Sequence, residues 1–374
     1  MISVMSQNES FTPFDTIVIG GGLLGCTAAQ HLAQGGQRVA LIDRGDLAGA
    51  ASGINEGSLS AQTKPLALLE YALEGKKRWA EKGKAVGYRP HPSLMLARSD
   101  AEKRVLEERS QLKRQQGLDI QLYSQPSLAK LYPYLSPQCK LAAYCKDDAV
   151  VNAALSGRYF RATLDALGVR LLEHFSVAAI HEDDCGFTVL CEDKRLEAKH
   201  LLFATGAGTN KITEMLALPV PLVFQINTVA ITLQTDAFLP NQIFDIHESF
   251  SAQKQDNGKV VIASGWRGPE IDMEMRQAGV NPKILTDTIA RCAAFWPEAI
   301  ETTLLASWHN IEANAPDYLP IVDSTSMNNR VTLLCAGRGG FMMGPYLAEC
   351  AAKRILGQDC PNTLDKFSLK RFES

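Results

Sequence analysis

The order of apolar and polar positions predicts alternating strands and helices at the start of the chain. Residues 15–19 form a β-branched run, residues 23–33 favour a helix with small residues on its first turn, and residues 38–42 (RVALI) predict a second strand. Short apolar runs of this kind are typical of buried parallel strands. The same alternation predicts a doubly wound layer built from three segments, 14–43, 151–206 and 331–356.

Two insertions interrupt this layer. The first, roughly 86–144, carries a charged helical stretch at 101–116, which is typical of a solvated helix face. The second, roughly 217–312, has strand-like alternation and predicts an antiparallel sheet. Its predicted elements, together with the terminal helix, are strands at 222–232, 259–266 and 303–308 and helices at 282–295 and 346–356.

Composition narrows the class of protein. The 374 residues include 38 Lys and Arg and 41 Asp and Glu, a net charge of −3, without a long block of like charges. This balance argues against a nucleic-acid partner or an anionic membrane surface. Hydrophobic residues make up 46% and charged residues 21%, which excludes a disordered chain.

The cysteines and the N-terminal residues bear on the cellular compartment in which the protein is expected. The nine cysteines form no C-x-x-C pair, so we expect neither a metal site nor a disulfide framework. Unpaired thiols are typical of a reducing compartment. Residues 1–13 lack the features of a signal peptide, and no stretch approaches the roughly 18 apolar residues of a membrane span. We expect a cytoplasmic protein.

A glycine motif follows the first predicted strand. Gly20, Gly22 and Gly25 form G-x-G-x-x-G between that strand and the next helix. Gly20 permits the tight turn, Gly22 lets the backbone approach a pyrophosphate, and Gly25 allows the helix to pack closely on the strand. The N-terminus of the helix attracts the phosphates. Asp43 ends the second strand, at the position where an acidic side chain accepts a hydrogen bond from a ribose hydroxyl. Because a carboxylate there repels a 2′-phosphate, NADP is disfavoured. The motif predicts a dinucleotide site and leaves NAD and FAD open.

Small residues dominate the segment after Asp43. Residues 45–61 read GDLAGAASGINEGSLSA, and such a segment can lie flat against a planar ligand. With this run the sequence resembles the FAD-dependent superfamily of D-amino-acid oxidase, glycine oxidase and sarcosine oxidase, in which an equivalent loop passes the pyrophosphate and the isoalloxazine. An NAD-dependent dehydrogenase is the weakest alternative, because it gives no purpose to the later Ala-Thr-Gly segment.

The resemblance continues in order along the chain, through 147–152, 176–180, 199–207, 315–322 and 333–340. It implies an α/β fold with a Rossmann-like FAD-binding domain of the glutathione-reductase type and an inserted α+β substrate domain built on an antiparallel sheet. The implied FAD-binding domain comprises 14–85, 145–216 and 313–374, and the implied substrate-binding domain comprises 86–144 and 217–312.

The resemblance also implies how FAD is bound. Asn310 stands where sarcosine-oxidase-like members attach their flavin through a Cys, so we expect noncovalent FAD. Val177 is expected to meet the adenine, and the N–H groups of Gly339 and Gly340 are expected to face the electron-rich edge of the reduced ring. The expected FAD-binding residues are Gly20, Gly22, Leu24, Gly25, Asp43, Arg44, Ser52, Asn55, Glu56, Gly57, Ser58, Val177, Thr205, Gly206, Gly337, Arg338, Gly339, Gly340, Phe341 and Met342.

The substrate residues depart from the family pattern. Amino-acid-oxidising members place an Arg four residues before the Pro of a Pro-Asp pair, and here Glu312 precedes Pro316 at that distance. A carboxylate cannot bind a carboxylate, so either another cation does so or the substrate presents a cationic or neutral group. The candidate cations are Arg338, Arg267 and Lys64, and the candidate substrate-positioning residues are Glu312, Arg338 and His309.

Several of these residues also have simpler interpretations. A lone His at a strand end is more often structural, and we expect Lys64 to be a surface lysine. Trp266 and Tyr318 are more typical of core positions, and Phe341, Met342 and Met343 favour packing over a pocket wall.

These features predict an oxidoreductase that moves a hydride from a C–H bond beside an amine nitrogen to flavin N5, giving an imine that hydrolyses. The substrate is an amine or an amino acid of the glycine, sarcosine or D-amino-acid type, and O2 or another acceptor reoxidises the flavin. Two alternatives stay open. One is the flavin-bearing subunit of a hetero-oligomeric opine, proline or glycine dehydrogenase, which needs a partner subunit. The other is a flavin-binding protein without amine turnover.

Overall fold

The computed structural model describes residues 13–192, 194–265, 279–325 and 329–372, so Trp266 and Arg267 lie outside the described residues. The helices of more than one short turn are α1 (Leu23–Gln34), α2 (Leu69–Lys82), α3 (Asp100–Gln115), α4 (Gln125–Leu131), α5 (Ser156–Ala166), α6 (Thr209–Thr213), α7 (Pro282–Phe295) and α8 (Gly340–Ile355). The first strands are β1 (Phe14–Ile19), β2 (Val39–Ile42), β3 (Ser58–Leu59), β4 (Arg89–Pro90), β5 (Ser93–Ala97), β6 (Ile120–Ser124), β7 (Leu141–Cys145), β8 (Ala149–Val150), β9 (Arg170–Leu172) and β10 (Val177–Asp183). The remaining strands are β11 (Gly186–Cys191), β12 (Lys194–Phe203), β13 (Val223–Thr232), β14 (Gln242–Asp245), β15 (Phe250–Lys254), β16 (Val260–Ser264), β17 (Leu304–Asn314), β18 (Ile321–Thr325) and β19 (Val331–Cys335).

A sheet with a parallel centre positions the glycine motif. Its order is β10-β11-β12-β1-β2-β9, with β19 paired to β12 and β18 paired to β19. The pairs β12–β1, β1–β2, β2–β9 and β12–β19 are parallel. Because parallel strands end at the same edge, the residues that follow Ile19, Ile42 and Phe203 lie side by side there. The fold therefore brings together the glycine turn, Asp43 and the Ala-Thr-Gly segment.

The second large sheet has the order β17-β13-β16-β15-β14-β5-β7-β6. Its neighbours are antiparallel except β14 and β5, which are parallel. Strands β13 to β17, from the second insertion, pair antiparallel as predicted for 217–312. Strands β5, β6 and β7 of the first insertion extend this sheet, and β5 joins it parallel to β14, which the sequence pattern did not predict. Strand β17 runs on to Asn314, past the predicted end at 308, so the predicted domain boundary after 312 falls inside a strand.

Helix α8 begins at Gly340, six residues before the predicted start at 346. The prediction placed the helix after Pro345, which cannot donate a hydrogen bond to the carbonyl four residues earlier. That carbonyl belongs to Phe341, and it accepts a hydrogen bond from the indole N–H of Trp79 at 2.8 Å. The tryptophan, fully buried on α2, supplies the bond that the proline cannot make, so the helix continues through Pro345.

Helices α2 and α8 pack at very short range. A Cβ on Gly75 would lie 2.1 Å from the carbonyl oxygen of Met342, so only glycine fits there.

An ion pair also joins the two helices, since Arg78 on α2 donates from Nε to Glu349 on α8 at 2.8 Å. Burial raises the pKa of Glu349, but hydrogen bonds from Arg78 and Lys353 outweigh it and lower that pKa to about 2. The pair therefore stays charged and holds the two helices in register.

Cys350 and Cys360 form a disulfide, with Cα atoms 5.4 Å apart. The sequence pattern, from which no disulfide framework was expected, did not indicate this single bridge, because it forms only when the chain after α8 folds back onto the helix and brings the two residues together. The other seven cysteines are free. Within the described part of the chain, no helix combines the length and the apolar character needed to cross a membrane.

The hydrogen bond from Trp79 to Phe341 gives a test of the α8 start. We expect Trp79→Phe to lower the free energy of unfolding by about 1–3 kcal/mol more than Trp296→Phe does, as measured by urea unfolding. The control is matched because Trp296 is also fully buried and its indole N–H has no partner among the described residues. Equal losses in the two variants would contradict this account of α8.

Candidate functional site

A cavity of about 610 Å³ lies between the two large sheets. One end is lined by the turn after β1 and by the end of β2, and the other by residues of β13, β15, β16 and β17. A volume of roughly 300–1,000 Å³ is typical of small-molecule and cofactor sites. The cavity therefore joins the predicted dinucleotide end to the second sheet without a break.

The glycine turn leaves bare backbone at the first end. Gly20 has φ +106°, and a Cβ there would lie 2.4 Å from the carbonyl oxygen of Ala204. A Cβ on Gly25 would lie 1.8 Å from the carbonyl oxygen of Gly20, so helix and strand touch directly. Gly22 is the N-cap of α1 and provides no side-chain cap, while Ser52 Oγ accepts the N–H of Leu23 at 2.9 Å. A helix N-terminus without side chains at Gly20 and Gly22 fits a pyrophosphate.

Asp43 is held at the same end by backbone donors. Its Oδ2 accepts the N–H of Gly21 at 2.6 Å, and its Oδ1 accepts the N–H of Gly45 at 2.8 Å. Each carboxylate oxygen can accept a further bond, so the fixed carboxylate suits the hydroxyls of a ribose.

The loop of small residues is braced from within. Asn55 donates from Nδ2 to the carbonyls of Ala51 and Ser52, both at 2.9 Å, and its Oδ1 accepts the N–H of Gly57 at 2.8 Å. Glu56 accepts a hydrogen bond from Ser251 on β15. Burial raises the pKa of Glu56, and the Ser251 hydroxyl and nearby Lys64 and Arg338 act against that rise. The loop therefore reaches the cavity in a defined shape.

All residues predicted to bind FAD line this cavity except Gly25 and Gly57. A Cβ on Gly57 would lie 2.0 Å from the carbonyl oxygen of Val151, so Gly57, like Gly25, serves backbone packing. The expected role of the Gly340 N–H needs correction, because it donates to the carbonyl of Gly337 at 3.0 Å. Contact of the other residues with FAD stays a prediction.

Charged side chains gather at the far end of the cavity. Arg338 forms an ion pair with Glu248, Nη2 to Oε2, at 3.0 Å, and Arg338 is therefore not a free cation. Lys64 is half-buried and lines the cavity, so the interpretation as a surface lysine is wrong. Burial lowers the pKa of Lys64, with Glu248 acting against that shift. The lysine follows a buried loop that the sequence pattern does not distinguish from a surface turn.

Glu312 and His309 also line the cavity from β17. Glu312 Oε1 accepts a hydrogen bond from Asn227 Nδ2 on the neighbouring strand at 3.3 Å. Phe341 and Met342 line the cavity and also pack in the core, so they serve both as pocket wall and as core residues. Tyr318 does not line the cavity.

The sequence argument missed several lining residues, among them Glu248, Asn227 and Ser264. Asn227 and Ser264 lie on strands whose register decides which side chains face the cavity, and Glu248 has φ +51° in a turn. The alternation of β13 is a signal for Asn227 once its partner strand is known. The left-handed turn at Glu248 has no comparable signal.

The Asp43 geometry gives a test of the dinucleotide end. We expect Asp43→Ala to weaken binding of FAD, the cofactor expected from the sequence, by about 10- to 100-fold, since it removes a charged hydrogen-bond acceptor. The dissociation constant is measured by titrating flavin-free protein with FAD. The control is Asp46→Ala, whose carboxylate is largely exposed and contacts His174. Similar affinities for the two variants would contradict the assignment.

Known proteins place the chain in a family. A family model described as FAD dependent oxidoreductase, DAO, matches residues 15–354. Glycine oxidase of Bacillus licheniformis is 22% identical over 96% of this chain and 98% of that protein. An opine oxidase subunit of Agrobacterium tumefaciens is 23% identical over 96% of this chain and 98% of that protein. The structure of glycine oxidase from Geobacillus kaustophilus is similar with a TM-score of 0.88 at 19% identity, covering 96% of this chain and 99% of that one. The chain therefore belongs to the DAO family of FAD-dependent oxidoreductases, and FAD is its cofactor.

Proposed function

We propose that the protein oxidises the C–N bond of an amine or an amino acid and yields an imine that hydrolyses. The observation that carries this proposal is the continuity of the cavity, which leads from the dinucleotide end to a cluster of charged groups able to hold a zwitterion. The similarity to glycine oxidase and to the opine oxidase subunit supports the same class of substrate.

FAD supplies the hydride acceptor for this reaction when it is bound. The chain's own contribution is placement and charge. Gly340, Phe341 and Met342 form the first turn of α8 and line the cavity, so the positive end of the helix dipole faces it. That end favours negative charge on a ligand beside it. We propose that the positive end of α8 as a whole, rather than the Gly340 N–H by itself, favours the negative charge of the reduced flavin ring.

We propose Lys64 as the group that binds a substrate carboxylate. Arg338 is already balanced by Glu248, whereas the hydrogen bond of the Lys64 ammonium goes to the neutral hydroxyl of Thr63 at 3.0 Å. The side chain of Lys64 lies against Gly339, since a Cβ on Gly339 would lie 3.4 Å from Lys64 Cδ. A half-buried ammonium beside the glycine turn attracts a carboxylate more strongly than an exposed ammonium does, because water screens it less.

We further propose noncovalent FAD, with Asn310 in place of an attaching thiol, and the domain division expected from the sequence. In that division 14–85, 145–216 and 313–374 hold FAD, and 86–144 and 217–312 hold the substrate. The parallel sheet with its glycine turn and the second sheet with its charged face support this division.

A second candidate is the flavin-bearing subunit of a hetero-oligomeric dehydrogenase. It is favoured by the similarity to the opine oxidase subunit, which extends along nearly the full length of both chains. Such a protein passes its electrons to a partner rather than rapidly to O2.

The test is anaerobic mixing of the purified flavoprotein with glycine, sarcosine, proline, D-amino acids and opines. We expect at least one to bleach the flavin absorbance, and we expect Lys64→Met to raise its apparent dissociation constant by about 10- to 100-fold. The matched control is Lys84→Met, at an exposed lysine. Slow reoxidation by O2 would favour the second candidate. A flavin that no amine bleaches would overturn the proposal.

A further inference from the structure

We propose that Glu312 and Asn310 form a subsite for a second positive charge on the substrate, an ammonium or guanidinium group remote from the reacting nitrogen. The substrate class is then an amino-acid-derived amine that carries a carboxylate at one end and a cation at the other. This inference rests on the proposed function and narrows it.

The first support is the way that β17 presents these side chains. Residues two apart on a strand face the same side, so Trp308, Asn310 and Glu312 share one face. The indole N–H of Trp308 donates to the carbonyl of Ile54 at 2.6 Å, and Ile54 lies in the loop that lines the cavity. Asn310 and Glu312, on the same face as Trp308, both line the cavity.

The second support is the preset orientation of the Glu312 carboxylate. Asn227 donates from Nδ2 to Glu312 Oε1 at 3.3 Å, and Ser264 Oγ donates to Asn227 Oδ1 at 3.3 Å. This series of hydrogen bonds crosses three neighbouring strands, β16, β13 and β17, and engages one oxygen of the carboxylate. The carboxylate can accept further hydrogen bonds from a ligand.

The third support is an unused acceptor beside it. Asn310 is only 6% exposed, and its Oδ1 has no hydrogen-bond partner among the described residues. Leaving a buried amide oxygen unpaired costs free energy, so such a group indicates a missing donor. The Oδ1 of Asn310 and the second oxygen of the Glu312 carboxylate are both acceptors to which no described residue donates, and ammonium and guanidinium groups offer only donors.

The fourth support is the balance of charge at this end of the cavity. Three carboxylates, Glu56, Glu248 and Glu312, face two cations, Lys64 and Arg338. Arg338 pairs with Glu248, and no ion pair between described residues includes Glu312. A substrate with a carboxylate for Lys64 and a cation for Glu312 would leave neither group unpaired.

The experiment compares two amines of nearly the same shape, one with a charged end group and one with a neutral end group. One is carboxyethyl-arginine, in which the α-nitrogen of arginine carries a carboxyethyl group, and the other is carboxyethyl-citrulline, in which a neutral ureido group replaces the guanidinium. Apparent dissociation constants come from the concentration dependence of anaerobic flavin reduction. Binding is measured separately by calorimetry on protein whose flavin has already been reduced, so that no turnover occurs.

We expect Glu312→Gln, which keeps the shape of the side chain, to weaken binding of carboxyethyl-arginine by about 10- to 100-fold. Binding of carboxyethyl-citrulline should change by less than about threefold, since a neutral group gains little from the carboxylate. Asn310→Ala should give a smaller loss that is again confined to carboxyethyl-arginine. Glu301→Gln, at an exposed residue just before β17, is the matched control and should change neither constant.

Equal losses for both amines in Glu312→Gln, or no preference for the charged amine in the unaltered protein, would overturn the inference. If other amines bleach the flavin while the arginine derivative does not, only the cation subsite fails. If no amine bleaches it, the proposed function fails first.

Discussion

Direct packing of backbone against backbone at Gly20 and Gly25 is the constraint that places the rest of the site. At this point the end of β1, the segment after β12 and the start of α1 leave no room for a Cβ on either glycine. The contact aligns the ends of the parallel strands, and Asp43 is then fixed by the N–H groups of Gly21 and Gly45. A side chain at either glycine would separate these elements and close the cradle that they form.

The second sheet is tied to this cradle by a buried polar network. Asp148, fully buried, accepts the hydroxyls of Ser60 and Ser93, both at 2.6 Å, and the N–H of Ala61 at 2.9 Å. Ser60 belongs to the loop that follows the glycine turn, and Ser93 begins β5 of the second sheet. A satisfied network around a buried carboxylate is rigid, because every displaced partner would leave a charge unpaired. It therefore sets the position of Lys64, four residues after Ser60, between the two sheets.

Much of this architecture could be predicted from the sequence, because it depends on local rules. The G-x-G-x-x-G turn, Asp43 and the α7 bounds follow from glycine requirements, strand ends and apolar spacing. The start of α8 did not follow, because a tryptophan distant in sequence supplies the hydrogen bond that Pro345 cannot make. The Arg338–Glu248 pair and the exposure of Lys64 to the cavity also depend on contacts between distant segments. Glu312 was identified as unusual, yet the acceptors around it emerge only once β13 and β17 are paired in register.

The most direct test of the central claim is a hydrogen isotope effect on flavin reduction. The purified flavoprotein is mixed anaerobically with an amine that it oxidises, carrying either hydrogen or deuterium on the carbon beside the nitrogen. If that carbon gives up a hydride in a cavity shared with FAD, deuterium slows the bleaching of the flavin severalfold. If no amine bleaches the flavin, or if deuterium at that carbon leaves the rate of bleaching unchanged, the account is contradicted.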